Sequence, residues 1–189
     1  MRIVSLLMLA LLTGSLQGCF PVVAAGVGAG MLMAGDRRTS GAYVEDEAIE
    51  TKAFDRIGKQ HNSISVHVNV TSFNRNVLLS GEVSSEAVKA EIGKLVRGIE
   101  NVRNVNNELV VSGVSSLTAR SSDSLVTSDV KLRFMQDKRF DTNHVKVVTE
   151  NGTVFLMGIV KRAEAEAATE IASTTGGVQR VVRLFEYLD

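Results

Sequence analysis

The strongest constraint on the fold is an internal repeat, whose two copies lie 77 residues apart along the chain. Apolar residues at every fourth position open both copies: Ile49, Ala53 and Ile57, then Val126, Val130 and Phe134. An alternating run follows at the same spacing: Val77, Leu79, Gly81 and Val83, then Val154, Leu156, Gly158 and Val160. Because one spacing relates both sets, we predict two copies of one supersecondary unit and not a single domain.

Each copy has the periodicity of an αββαβ module. Apolar residues at i, i+4 and i+8 predict an amphipathic helix over residues 47–59 and again over residues 124–136. Two strands follow, the first beginning at Ile64 in copy one, and Asn151-Gly152 in copy two is typical of a hairpin turn with positive φ. A second helix and a last strand complete each copy. We therefore predict an α+β fold of two tandem modules, each a three-stranded mixed sheet with two helices on one face.

The domain organisation follows from these elements and from the composition of the segments between them. The predicted segments are a signal peptide (1–18), a lipidated N-terminus with a flexible tether (19–43), a first module (44–113), a polar linker (114–122) and a second module (123–189). Within the tether, the polar residues 36–43 are expected to be extended.

The first segment has the features of an export signal. Arg2 precedes an apolar run over residues 3–12, which is too short to span a bilayer and has the length of a signal-peptide core. The Leu-Gln-Gly-Cys motif at residues 16–19 resembles a lipobox, although Gln17 departs from the small residue usual at that position. This resemblance implies cleavage before Cys19, the only cysteine, and attachment of acyl chains, palmitate among them.

Acylation at Cys19 would place the mature protein on a membrane. Two or more acyl chains give stable anchoring, since each buried methylene contributes about 0.8 kcal/mol. Phe20, rather than aspartate, after the cysteine implies sorting to the outer membrane. The alternative is a buried cysteine in an ordinary signal peptide or membrane anchor.

Composition and motif content argue against nucleic-acid binding and against catalysis. The formal net charge is zero, whereas nucleic-acid binders are usually basic. His61, His67 and His144 have no spacing typical of a metal site, and we expect them to be solvated surface residues. No catalytic constellation can be assembled, so we predict neither an enzyme nor a bound cofactor or metal. Gly81 and Gly158 are expected to let a helix pack closely against their strands.

The first helices of the two copies differ on their outer faces. At about 100° per residue, Leu125, Leu132 and Met135 lie opposite the inward face of the helix in copy two. These three side chains form an apolar stripe, and Ser128, Lys131 and Arg133 lie on or beside it. We predict that the six residues together form a binding site. The positions equivalent to the stripe in copy one are Ala48, Asp55 and Gly58. An apolar stripe with cations beside it predicts contact with anionic phospholipids; the alternative is packing against the first module or a second protein.

The middle strand of the second copy is apolar on both faces. Phe155, Met157 and Ile159 alternate with the core residues of that strand, where the first copy has Leu78, Ser80 and Glu82. Because an exposed sheet face of this kind would be costly, we predict that it packs against the first module and makes the two modules one rigid body.

These motifs together resemble the BON-domain family. The pattern Val-x-Leu-x-Gly-x-Val stands at residues 77–83 and 154–160, and the closing motif Gly-Val-x-x-Val stands at residues 177–181. The first copy departs from the closing motif at residues 98–102, which carry inserted residues. With the lipobox, the two copies resemble the dual BON-domain lipoproteins of the outer membrane.

The resemblance implies a periplasm-facing, lipid-anchored protein that binds anionic phospholipids through its second BON domain. It also implies a role in outer-membrane integrity and enrichment at division sites. BON domains in general imply a binding module and not an enzyme. The alternative is an adaptor that docks an envelope assembly protein or a protease through the same surface.

Overall fold

The structure, a computed structural model, describes residues 35–61, 66–113 and 115–189. The predicted signal peptide, the predicted lipidation at Cys19, the tether up to residue 34 and Ile64 lie outside the described residues. Residues 35–189 form one compact unit that contains both modules.

The first module begins with helix α1 (Ser40–Gln60), followed by strands β1 (Val66–Phe73) and β2 (Asn76–Val83). Helix α2 (Glu86–Arg97) then leads to two short strands, β3 (Asn104–Asn107) and β4 (Val110–Val111). Strand β2 pairs antiparallel with β1 and parallel with both β3 and β4, so the sheet is mixed. The last strand, predicted as one element, is divided where the buried Leu109 turns into the core.

The second module repeats this order with helix α3 (Leu117–Gln136) and strands β5 (Val145–Glu150) and β6 (Thr153–Val160). Helix α4 (Arg162–Ser173) and strand β7 (Arg180–Tyr187) complete it. Strand β6 pairs antiparallel with β5 and parallel with β7. The predicted α+β fold of two tandem αββαβ modules is therefore confirmed.

In each module the two helices cover one face of the sheet and bury the core predicted from the repeat. The core of the first module includes Ile49, Ala53, Ile57, Val77, Leu79, Val83, Ile92 and Val96. The core of the second includes Val126, Val130, Phe134, Val154, Leu156, Val160, Ala168 and Ile171. Burying one such aliphatic or aromatic side chain contributes about 1.5–3 kcal/mol, so each module has its own source of stability.

The turns between the paired strands have the geometry that the sequence predicts. Asn151 and Gly152 have φ values of 48° and 68°, and Asn74 and Arg75 in the first module have φ values of 50° and 65°. Both turns therefore match the right-handed twist of the strands that they join.

A buried aspartate ties each turn to the first helix of its module. Asp46 accepts hydrogen bonds from the backbone amides of both turn residues at 2.7 and 2.8 Å. Asp123 lies 77 residues later and does the same at 2.9 Å to each amide. Both aspartates are buried, so these bonds satisfy carboxylates that would otherwise destabilise the core.

Both first helices begin earlier than predicted. Helix α1 begins directly after Thr39, whose hydroxyl accepts a hydrogen bond from a first-turn amide at 3.1 Å. Helix α3 begins directly after Ser116, which caps it in the same way at 3.2 Å. Such caps satisfy amides that the helix itself leaves free. Residues 40–43 are therefore helical and not extended, and the linker predicted at residues 114–122 is helical from residue 117.

Residues 36–38, predicted as part of the flexible tether, are bonded to both modules. Arg37 forms a salt bridge with Glu164 of α4 at 2.6 Å, and Arg38 forms one with Asp46 of α1 at 2.9 Å. The hydrogen bonds from Arg37 lower the pKa of Glu164. A segment that precedes α1 therefore contacts both modules and joins them.

The two repeat glycines contact a neighbouring strand or the turn that leads into it and not an α-helix, which corrects the expectation from the sequence. A side-chain carbon at Gly81 would collide with the backbone carbonyl oxygen of His67, and one at Gly158 with that of His144. Gly81 also has a φ of 115°, which few other residues adopt. Gly81 therefore allows the close approach of two strands, and Gly158 allows the close approach of the 3-10 turn (Thr142–His144) that leads into β5.

The sheet faces that the helices leave uncovered pack against each other. Phe73 and Leu78 of the first module and Phe155 and Met157 of the second form a buried group, which we call the interface cluster. Phe155 and Met157 are 2% and 1% exposed. The predicted packing of the two modules is therefore confirmed.

Polar contacts surround the interface cluster. Lys146 of β5 forms a salt bridge with Glu50 of α1 at 3.2 Å. Glu186 of β7 accepts hydrogen bonds from the side-chain amides of Asn74 and Asn76 at 2.8 and 2.6 Å. These bonds fix the register of the two sheets relative to each other.

Candidate functional site

The outer face of helix α3 carries a stripe of exposed apolar side chains with serines between them. Leu125, Leu132 and Met135 are 68%, 54% and 72% exposed. Leu117 lies on the same face at 100° per residue and is 78% exposed, but sequence reasoning missed it because it fell in the predicted linker. From Leu117 to Met135 the stripe is about 27 Å long at 1.5 Å per residue.

Serines fill the gaps between the apolar side chains, and their hydroxyls bond back to the helix. Ser121, Ser124 and Ser128 each donate to the carbonyl oxygen four residues earlier, at 2.9, 3.0 and 2.9 Å. A hydroxyl that is satisfied in this way costs less to remove from water than a free one. The face is therefore less polar than its composition indicates, and Ser128 belongs to it.

The two predicted cations differ in their surroundings. Lys131 is exposed beside the stripe and has no ion-pair partner among the described residues. Arg133 is half-buried and donates to the Ile171 carbonyl at 2.9 Å and to the Thr175 hydroxyl at 2.7 Å. Arg133 therefore fastens α3 to α4 within the module and does not face outward, which corrects its predicted place beside the stripe.

The equivalent face of helix α1 has no such stripe. Of the three matching positions, Ala48 and Gly58 are small, and Asp55 pairs with Lys59 at 2.6 Å. Val44 and Phe54 are also exposed on α1, at 65% and 77%, but neither stands at a position that matches Leu125, Leu132 or Met135. The asymmetry between the two modules that the sequence predicts is therefore present in the structure.

The histidines are not the solvated surface residues that the sequence led us to expect. The side chains of His61, His67 and His144 are only 10%, 21% and 15% exposed. His67 lies on the outer face of its sheet, as its alternation predicts, but the second module covers that face. There it approaches Glu82 and Glu150, and one possible ligand atom of each of the three residues lies within 4.8 Å of the others.

A BON domain model matches residues 45–113 and again residues 122–189. The chain belongs to the BON-domain family. It is 40% identical over 185 residues to the outer membrane lipoprotein DolP of Haemophilus influenzae, covering 96% of each chain. We therefore place it among the dual BON-domain lipoproteins of the outer membrane.

Further relatives share the same domains. The chain is 30% identical to a 21 kDa hemolysin of Actinobacillus pleuropneumoniae, over 81% of this chain and 79% of that one. It is 32% identical to osmotically-inducible protein Y of Escherichia coli, over 75% and 72% of the two chains. The C-terminal domain of CdsD from Chlamydia trachomatis aligns with 74% of this chain at 13% identity and a TM-score of 0.31, too low to bear on function.

Within the described residues, none of the helices has both the length and the hydropathy of a membrane span.

Proposed function

We propose that this protein is a lipid-anchored, periplasm-facing phospholipid-binding protein that supports outer-membrane integrity and is enriched at division sites. It acts as a binding module and not as an enzyme. The observation that carries the proposal is the outer stripe of α3, whose apolar side chains are each more than half exposed. Exposed apolar side chains scattered singly are ordinary, whereas several on one face of a helix favour an interaction surface.

The stripe has the properties of a helix that lies in a membrane interface. The apolar side chains would enter the boundary between headgroups and acyl chains, and the axis of α3 would lie parallel to the membrane. Lys131, beside the stripe and free of an internal ion pair among the described residues, would meet lipid phosphate. Lys138, exposed just after the helix ends, extends this positive edge, so anionic phospholipids are the proposed ligand.

The anchor and the stripe would act together. Acyl chains on Cys19 keep the protein at the membrane, and the close similarity to an outer membrane lipoprotein supports this assignment. A module tethered to the surface meets lipid at a high effective concentration. The lipid site on α3 would therefore be occupied even if its affinity for lipid is weak.

The alternative is an adaptor that docks an envelope assembly protein or a protease on the same stripe. An apolar face with a polar rim also suits a protein partner. Binding to pure lipid vesicles separates the two proposals, because an adaptor would not bind without its protein partner.

The direct test uses residues 35–189, which contain both module cores and the interface cluster and lack the acyl chains. We expect binding to anionic vesicles in a flotation assay. Leu125→Glu or Leu132→Glu should abolish it, since each leucine withdrawn from the interface removes about 2 kcal/mol, on the order of 30-fold in affinity. The introduced carboxylate also repels anionic headgroups.

The matched controls are Ala48→Glu and Gly58→Glu, at the equivalent positions of α1. Both should bind vesicles normally. Equal losses from α1 and α3, or normal binding by a folded Leu132→Glu protein, would place the lipid site elsewhere.

Reversal of the charge at Lys131 should have a smaller effect that depends on salt. A cation near an anionic surface contributes about 1 kcal/mol, so Lys131→Glu should weaken vesicle binding by roughly fivefold or somewhat more. The difference from wild type should shrink as added salt shortens the screening length. A loss that does not change with ionic strength would mean that Lys131 supports the fold and not the lipid contact.

A further inference from the structure

One end of the interface between the modules holds buried acids in place of apolar side chains. His67 of β1 and Glu82 of β2 are cross-strand partners, so their side chains leave the sheet side by side on the covered face. Glu150, the last residue of β5, reaches them from the second module. One donor atom of each of the three residues lies within 4.8 Å of the others.

The two carboxylates are each held by an asparagine from the opposite module. Asn69 of the first module donates to Glu150 Oε2 at 2.7 Å, and Asn151 of the second donates to Glu82 Oε1 at 2.6 Å. These bonds leave Glu150 Oε1 without a donor among the described residues, 4.0 Å from His67 Nε2. Asn69 Nδ2 also lies 3.3 Å from His67 Nε2, so this asparagine contacts both proposed ligands. The free oxygen and the ring nitrogen therefore face each other across a gap.

The negative charge in this group has no fixed counter-charge. Glu82 and Glu150 are 1% and 7% exposed, and within the described residues neither has a lysine or arginine at salt-bridge distance. Two carboxylates brought together away from water need a cation or a proton between them.

We propose that His67, Glu82 and Glu150 bind one divalent transition-metal ion, with zinc as the best fit, and that the ion joins the two BON modules. An imidazole nitrogen with two carboxylate oxygens suits zinc and its neighbours, whereas calcium and magnesium prefer oxygen ligands alone. Asn69 and Asn151 orient the ligating carboxylates, as the outer partners of metal ligands commonly do. Side-chain shifts of about an ångström would bring the donors to the 2.0–2.2 Å bonds that zinc requires.

The site has a path to solvent on the side of His67. The His67 side chain is 21% exposed, whereas the two carboxylates are buried. An ion can therefore reach the imidazole without separation of the modules. Because its ligands come from both modules, the bound ion would hold the interface closed.

The test is titration of the full-length protein, purified in detergent without an affinity tag and treated with a chelator, with zinc chloride alone. We expect one zinc ion per chain by calorimetry. His67→Ala and Glu150→Gln should each weaken binding by at least tenfold. Glu150→Gln keeps an acceptor for Asn69 and removes a buried charge, so this variant is expected to stay folded.

The matched control is His144→Ala, since His144 stands 77 residues after His67 in the repeat and is outside the proposed site. It should bind zinc like the wild type. A second measurement is the thermal midpoint, which zinc at a hundredfold excess over its dissociation constant should raise by roughly 5 to 10 °C in the wild type and not in Glu150→Gln. Absence of zinc binding, undiminished binding by Glu150→Gln, or an equal loss in His144→Ala would overturn the proposal.

Discussion

Met157→Glu is expected to lower the free energy of unfolding by about 3 to 5 kcal/mol, because the methionine is almost fully buried in the interface cluster. The substitution removes apolar packing within the interface cluster and buries a carboxylate there. Lys146, its cross-strand neighbour, is already paired with Glu50 at 3.2 Å. Phe155→Glu should behave in the same way. Denaturant unfolding of residues 35–189 measures the change.

The control for this prediction is Leu132→Glu, which makes the same chemical change at an exposed position of α3. Its effect on stability should stay within about 0.5 kcal/mol, as is usual for surface positions. A change of that small size for Met157→Glu would mean that the two sheets do not pack against each other in solution.

Cys19→Ala should have the largest effect on location. Without its acyl chains the protein loses an attachment in which each buried methylene contributes about 0.8 kcal/mol. We therefore expect the variant in the soluble fraction, or mis-sorted, when cell envelopes are washed with high salt and separated. Salt screens the attraction between lysines and anionic headgroups, so retention after the wash depends on the acyl chains and on apolar contacts.

If the Cys19→Ala protein still sediments with membranes after the salt wash, the anchor lies elsewhere. Residues 20–35 or the protein surface would then hold it. A matched wild-type preparation, washed in the same way, shows whether the salt step itself releases the protein.

The repeat and the hairpins could be predicted from the sequence because their signals are local and periodic. Apolar spacing identified the inward faces of α1 and α3, and Asn151-Gly152 identified a turn whose φ values the structure bears out. The same spacing of 77 residues relates Asp46 and Asp123. That match was visible in the sequence but has meaning only when the turn is known to contact the helix.

Helix starts were less predictable, since they depend on a single capping bond. Serine-rich residues 117–124 have modest helix propensity and the composition of a linker. Ser116 caps the helix, and Arg120 also bonds to the Ser115 carbonyl and hydroxyl at 3.1 and 3.2 Å. Leu117 of the candidate site was lost with this segment.

The surroundings of His67 and Arg133 depend on contacts between distant parts of the chain. Strand alternation placed His67 on the outer face of its sheet, but its burial requires the second module to lie on that face. Arg133 was assigned outward by its angle on the helix, whereas its partners on α4 come about 40 residues later. The spacing of residues within one helix or strand cannot predict contacts of this kind.

The measurement that tests the central claim most directly is NMR of residues 35–189 with anionic and with zwitterionic micelles. If α3 is the lipid-binding element, anionic micelles should perturb the amides of its outer face, around Leu117, Leu125, Leu132 and Met135. The equivalent face of α1 should be unchanged, and zwitterionic micelles should have a weaker effect. Perturbations centred on α1, or none on α3 in a folded protein, would contradict the assignment of lipid binding to the second BON module.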